Sequence, residues 1–303
     1  MKSAALRSPR RWRPRQLLLV LVLCGSAAAE IDPTTDPNYT FRHLKVLGPV
    51  HKVTYKTVWN FSQDSGTSSE TYTFNPSGQV TRIDGQGGNY LEFQYRDGCF
   101  VKQQNWGASD GLVVSGASFV HLVGPRCQVQ KETIYDDDGQ VSYVVRYQYS
   151  GTRITKNQVF PDGTKGVTST TTTVCQGLTC TTTASVSHTE MGRQFNTAEK
   201  EVLIFSRPGI RKSRVFTSET RVAGQAGIYE SGEDRVAYNA QGWPVTHTEK
   251  SYSKKFNMSG SSQERFTYIG KDRYGNWLTR KELRITDNKT TPGETITRTF
   301  TYR

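Results

Sequence analysis

Hydrophobic and polar residues alternate with a period of two over most of the chain from residue 41 to residue 303. In the first such segment, one face carries Val53, Tyr55, Thr57, Trp59 and Phe61 and the other carries Thr54, Lys56 and Asn60. The same alternation returns over 141–149, 277–285 and 296–302. A period of two is the mark of a half-buried strand, and helical periodicity is scarce, so the pattern predicts an all-β protein.

A short phrase, in which an aromatic residue is followed by a turn and a glycine, recurs along the chain. An aromatic ends a strand, Asp or Asn opens the turn, and Gly closes it in the positive-φ conformation. We expect Gly78, Gly139, Gly242 and Gly275 to occupy these turns, with Trp277 beginning the next strand on the buried face. Together with the other turn signals, the phrases predict roughly sixteen to twenty strands.

The predicted architecture is therefore a repetitive antiparallel meander of hairpins that forms a long twisted or curved sheet. The sequence does not decide whether this sheet partly closes on itself. No Pro-rich or Ser-rich linker interrupts residues 41–303, which are predicted to form a single β-repeat domain. A short polar lead-in, residues 30–40, precedes this domain.

Residues 1–29 have the pattern of a secretory signal peptide. A basic stretch precedes the apolar run from Leu17 to Leu23, and Ala27 to Ala29 supply the small residues of a cleavage site. The run is too short to span a bilayer, which takes about 20 apolar residues, so no transmembrane span is expected in the mature chain. The protein is predicted to be exported to the periplasm or the extracellular space. The alternative is a lipoprotein acylated at Cys24, which the bulky Leu23 disfavours.

Removal of the signal leaves a mildly basic chain. All six ionisable residues of the signal are basic, so the 39 Lys and Arg fall to 33, against 27 Asp and Glu, a net charge of +6. The excess is spread along the chain, and we therefore expect no nucleic-acid partner.

Four cysteines remain, an even number that in an exported chain favours disulfides. Cys175 and Cys180 flank a four-residue loop in a nearly palindromic Thr-rich segment, and a hairpin there would place them opposite each other. Cys99 and Cys127 form the remaining pair, with weaker support.

No motif in the sequence demands catalysis, a cofactor or a metal. The five histidines are dispersed, and no nucleophile elbow, Walker loop or dinucleotide fingerprint is present. Most aromatic residues sit beside turns, where they are typical of cross-strand pairs. Trp106 is the exception, because it lies in a polar, loop-like segment, and it is the candidate ligand-binding residue.

Three stretches resemble the Rhs/YD-repeat proteins and small exported bacterial proteins with degenerate copies of that repeat. They are 44–53, 72–80 and 272–280, the last followed by Arg298 to Tyr302. The resemblance implies a repetitive antiparallel sheet. Spacing between copies is irregular and Asp is often replaced by Asn. In large members the sheet forms a shell around a toxin, and this chain is too short for that role.

These features lead to three functional hypotheses. The first is a non-enzymatic binding or scaffolding protein of the bacterial cell envelope that engages a polypeptide partner, since a long sheet offers edges for β-augmentation. The second is a carbohydrate-binding protein that binds a glycan through exposed aromatic residues. The third is a hydrolase whose site assembles only in three dimensions.

Overall fold

The computed structural model describes residues 46–303 except 62–63, 110–111, 125–126, 191, 208–209, 255 and 287–288. The predicted signal peptide (1–29), Cys24 within it and the lead-in (30–40) lie outside the described residues. The strands are β1 (Val50–Phe61), β2 (Asp64–Phe74), β3 (Val80–Asp84), β4 (Tyr90–Arg96), β5 (Cys99–Ser109), β6 (Leu112–Val123), β7 (Val129–Tyr135), β8 (Val141–Ser150), β9 (Arg153–Val159), β10 (Lys165–Gln176), β11 (Thr179–Glu190), β12 (Arg193–Arg207), β13 (Ile210–Val222), β14 (Glu230–Tyr238), β15 (Pro244–Ser253), β16 (Met258–Lys271), β17 (Trp277–Thr286) and β18 (Lys289–Tyr302).

The strands form one closed antiparallel barrel. Each strand pairs with its neighbours in sequence, and β1 pairs with both β2 and β18, so the ring of 18 strands has no free edge. Val53 lies opposite Phe300 and Thr57 opposite Ile296 where the ring closes. The structure confirms the predicted all-β meander and shows that its closure is complete.

Both ends of the domain meet at one end of the barrel, which we call the terminal end. The Arg303 amide donates to the Pro49 carbonyl at 3.0 Å. The Leu47 amide donates to the side-chain oxygen of Asn276 at 2.6 Å, and the Asn276 amide group returns a hydrogen bond to the Leu47 carbonyl at 2.9 Å. Asn276 is 1% exposed, so these bonds fasten the entering chain to the β16–β17 turn without competition from water.

The predicted glycine turns share one geometry. In each, the glycine amide donates to the carbonyl of the residue that opens the turn, and the amide of that opening residue donates to the carbonyl four positions further on. The φ angles are 80° at Gly78, 75° at Gly139, 75° at Gly242 and 87° at Gly275, values at which a side chain would be strained. The opening Asp or Asn also accepts a backbone amide with its side-chain oxygen, which explains the residue type.

Both cysteine pairs are joined in the structure. The bond between Cys175 and Cys180 staples the β10–β11 hairpin, in which Thr173 also lies opposite Thr182. The bond between Cys99 and Cys127 links the first residue of β5 to the loop before β7.

The apolar core gathers at the terminal end rather than along the whole barrel. Its main cluster joins β1 to β5 and consists of Val46, Val50, Val53, Tyr72, Phe74, Val80, Ile83, Phe93 and Phe100. A smaller cluster of Cys180, Leu203 and Phe205 lies on β11 and β12, close to the turns of the same end. Apolar packing therefore stabilises one end, and polar side chains occupy much of the middle of the barrel wall.

Strand closure overturns the leading functional hypothesis. A binding or scaffolding protein that engages a polypeptide by β-augmentation needs an unpaired strand edge. Every strand of this ring is paired on both sides. The prediction of a binding or scaffolding protein of the bacterial envelope that engages a polypeptide partner is therefore wrong.

Candidate functional site: an ionic belt on the inner wall

The two faces of the ring differ in exposure and composition. The strand register places the side chains that share a face with Val53 on one continuous surface, and along the strands these positions are mostly less exposed than their neighbours. Because the side chains of a closed barrel converge on its inside, we call this surface the inner wall and the other the outer wall.

A continuous line of ion pairs crosses six consecutive strands of the inner wall, and we call it the ionic belt. It runs through Glu201 on β12, Arg214 on β13, Asp234 on β14, His247 on β15, Glu264 on β16, and Arg284 and Glu282 on β17. Successive charged atoms are separated by 2.7, 3.7, 3.2, 3.0, 3.7 and 2.5 Å. Charges alternate in sign along it, so each strand is held to the next electrostatically as well as by the backbone ladder.

His247 is the centre of the belt. Its ring nitrogens lie 3.2 Å from Asp234 Oδ2 and 3.0 Å from Glu264 Oε2. Hydrogen bonds to Asp234 and then to Glu264 raise the pKa of His247 to about 10, so the imidazole is charged at neutral pH. The hydrogen bond from His247 lowers the pKa of Glu264; burial opposes a lower pKa at Asp234, but His247 and Arg214 outweigh it.

A second ionic group lies on β6 to β9. Glu132 accepts a hydrogen bond from the Tyr147 hydroxyl at 2.7 Å and lies 3.6 Å from His121 Nε2. The Lys156 ammonium lies 5.4 Å from the centre of the Tyr147 ring. Burial lowers the pKa of Lys156 to about 8.

Small side chains separate the two ionic groups. The inner wall of β10 and β11 carries Thr171 opposite Ala184 and Thr173 opposite Thr182. Lys156 and Glu199 flank this strip and interact electrostatically across it. Side chains therefore project less into the barrel along this strip than in the two ionic groups beside it.

The predicted ligand-binding residue, Trp106, lies within β5 rather than in a loop. Its indole N–H donates to Glu92 at 3.0 Å, and its ring stacks on Tyr90 with 5.8 Å between centroids. It belongs to the outer wall as part of a cross-strand cluster, and the carbohydrate-binding alternative based on it loses its premise of a projecting ring.

The two carboxylates beside His247 do not have the properties of a catalytic acid. Asp234 and Glu264 are ion-pair partners of His247 with lowered pKa values, whereas a general acid needs a raised one. Within the described residues, no group of three or more His, Cys, Asp or Glu side chains could hold a metal ion.

Trp277, unlike Trp106, is buried. Its ring lies 5.5 Å from that of Tyr268 and under the guanidinium of Arg298, which is 4.1 Å from the ring centroid. The contact joins the apolar terminal end to the charged middle of the inner wall.

The ionic belt was not predicted from the sequence. A pattern that could have indicated it is the ionisable residue that each successive strand carries on its inward face.

Comparison with known proteins leaves the family open. No protein-family model matches the chain, and no curated protein matches its sequence. Similar solved structures include a porin-like protein from Bacteroides uniformis (11% identity, 84% of this chain and 98% of that chain, TM-score 0.36) and one from Bacteroides vulgatus (10%, 84% and 98%, 0.37). A mutant of Rh. blastica porin shares 7% identity over 82% of this chain and 98% of its own, with a TM-score of 0.46.

These scores are too low to carry over a porin's activity to this chain. The comparisons equally give no support to the YD-repeat, Rhs-like description, so neither that family's properties nor the label of a binding protein is carried forward. The described residues include no helix with the length and apolar character of a membrane span.

Proposed function

We propose that this protein is an exported barrel whose water-filled lumen admits small hydrophilic solutes. The observation that carries the proposal is the ionic belt on the inner wall of a closed ring. A lumen filled by protein would be lined by interlocking apolar side chains, whereas charged groups in the middle of a wall favour contact with water.

The size of the ring supports a lumen. Eighteen strands spaced about 4.8 Å apart and tilted by about 40° give a backbone ring roughly 35 Å across if it is round. Barrels of this strand number enclose an aqueous channel, whereas eight strands are filled by their own side chains. Extensive backbone contacts among the described strands join only neighbours in the ring, so none of them crosses the middle.

The outer wall favours a barrel surrounded by water over one embedded in lipid. Its strands are rich in Thr and Ser, and charged residues occur around the ring, among them Lys56, Arg82, Lys102, Lys131, Arg146, Lys200, Arg235, Lys250, Arg265 and Lys281. Each Arg or Lys facing the bilayer midplane costs about 2–4 kcal/mol. The predicted signal peptide supports export. Apolar packing at the terminal end favours a lumen that is closed at that end over one that is open at both ends.

Cysteine accessibility tests the lumen. Thr171→Cys places a thiol on the small-residue strip of the inner wall, and Thr170→Cys places one on the adjacent outer position as the matched control. We expect a small charged thiosulfonate to label both variants in the folded protein. A maleimide on a polyethylene glycol of about 5 kDa should label only Thr170→Cys, because the polymer coil is wider than the space that side chains leave inside a ring roughly 35 Å across.

Either of two results contradicts the proposal. Protection of Thr171→Cys from the small reagent would mean that the lumen is filled. Equal labelling of both variants by the large reagent would mean that the ring opens.

A further inference from the structure

A cavity of about 270 Å³ opens in the inner wall beside the ionic belt. Its lining includes three arginines from two different parts of the ring, together with aromatic rings and one carboxylate. The lining residues that bear on its chemistry are Arg211, Arg214, Asp234, His247, Phe266 and Arg280.

The charges of this lining are not balanced within the cavity. Arg214 is neutralised by Glu201 and Asp234, and His247 by Asp234 and Glu264. Arg280 forms no salt bridge with any described residue, and its Nε atom is buried without a hydrogen-bond partner there. Arg211, which is 2% exposed, adds a further guanidinium, with Nη1 3.4 Å from the Tyr238 hydroxyl oxygen.

Stacking holds Arg280 in place. Its guanidinium carbon lies 4.7 Å from the centre of the Phe266 ring, so one flat face is covered. The N–H groups along the edge of the guanidinium remain for a ligand, and their planar fork matches the two oxygens of a carboxylate or phosphate.

The carboxylate of the cavity supplies the opposite kind of group. Asp234 uses Oδ2 for both His247 and Arg214, while its Oδ1 is buried and has no hydrogen-bond partner in the described part of the chain. A buried carboxylate oxygen that accepts nothing is costly, and a hydroxyl is the neutral donor that would satisfy it beside an anion.

We propose that this cavity binds a small organic anion that also carries a hydroxyl group. The carboxylate or phosphate of the ligand pairs with Arg280, and the hydroxyl donates to Asp234 Oδ1. The proposal rests on the proposed function, because the ligand reaches the inner wall only through the lumen.

Titration calorimetry of residues 30–303 with glycerol 3-phosphate tests the site. We expect saturable binding to one site, weaker binding of inorganic phosphate, and no heat with glycerol. Arg280→Gln should weaken the affinity at least about tenfold, because a charge-assisted pair is lost. Arg265→Gln, on the outer wall of the neighbouring β16, removes the same charge and should leave the affinity within about twofold of wild type.

Absence of saturable binding to the wild-type protein, or equal weakening in both variants, overturns the proposal. Where Arg280→Gln does not fold, Arg280→Lys keeps the charge but loses the planar fork, and an unchanged affinity in that variant is equally contradictory. If binding is absent but Thr171→Cys still reacts with the small thiosulfonate, the anion site is wrong and the proposed lumen stands.

Discussion

Replacing Trp277 by alanine is expected to lower the free energy of unfolding by about 3–5 kcal/mol. The ring is 9% exposed and packs on Tyr268, and its removal leaves a cavity at the terminal end. It also uncovers one face of the Arg298 guanidinium, which is only 3% exposed and would lose the nearest of its aromatic neighbours.

Urea denaturation of the purified variants measures this effect. Trp106→Ala is the matched control, because the half-buried Trp106 on the outer wall should cost much less than Trp277. A loss of less than about 1 kcal/mol for Trp277→Ala would contradict the buried position of the ring, since surface substitutions typically fall below that value.

The second large effect concerns pH and His247. Contacts with Asp234 and Glu264 raise the pKa of His247 to about 10, above its unfolded value of 6.5. A group with a raised folded pKa contributes its full stability below the unfolded pKa and loses it as the pH rises through the folded one. We therefore expect the wild-type advantage over His247→Gln to be largest near pH 6.5 and to disappear towards pH 10.

The expected advantage at pH 6.5 is about 1–2 kcal/mol, after allowance for solvent screening of a histidine whose side chain is 27% exposed. Urea denaturation of both proteins at a series of pH values measures it. His188→Gln is the control for loss of an imidazole, because His188 forms no salt bridge with the described residues. A His247→Gln difference that does not change with pH would contradict the belt geometry.

Local features of the fold were predictable from the sequence. The Asp or Asn at the start of each turn and the glycine after it determine a hairpin by themselves, because the side-chain acceptor and the positive φ are local requirements. The Thr palindrome likewise has a single register that pairs like with like, and the structure has Thr173 opposite Thr182.

Closure of the ring was not predictable in the same way. Pairing of Val53 with Phe300 joins strands at opposite ends of the domain, and no local pattern distinguishes an edge strand from one that is paired on both sides. The functional hypothesis failed for this reason, because it depended on an edge that does not exist.

The candidate site was missed because its residues are far apart in the sequence. Glu201, Asp234 and Glu264 look like ordinary surface charges when each strand is read alone. Only the register shows that they lie on the inward face together with Arg214 and His247. Trp106 was chosen because its neighbours are polar, but in a barrel with a polar outer wall polar neighbours do not indicate a loop.

Closure of the barrel between its first and last strands is the central claim, and an engineered cross-link tests it most directly. Thr54 and Thr299 lie opposite each other on the outer wall of β1 and β18, at a separation that suits a disulfide. Under mild oxidation of the folded protein, Thr54→Cys with Thr299→Cys should form an intramolecular disulfide. Thr54→Cys with Thr246→Cys, on the outer wall of the more distant β15, should not. Failure of the first pair to cross-link, or equal cross-linking of both pairs, would contradict a closed ring.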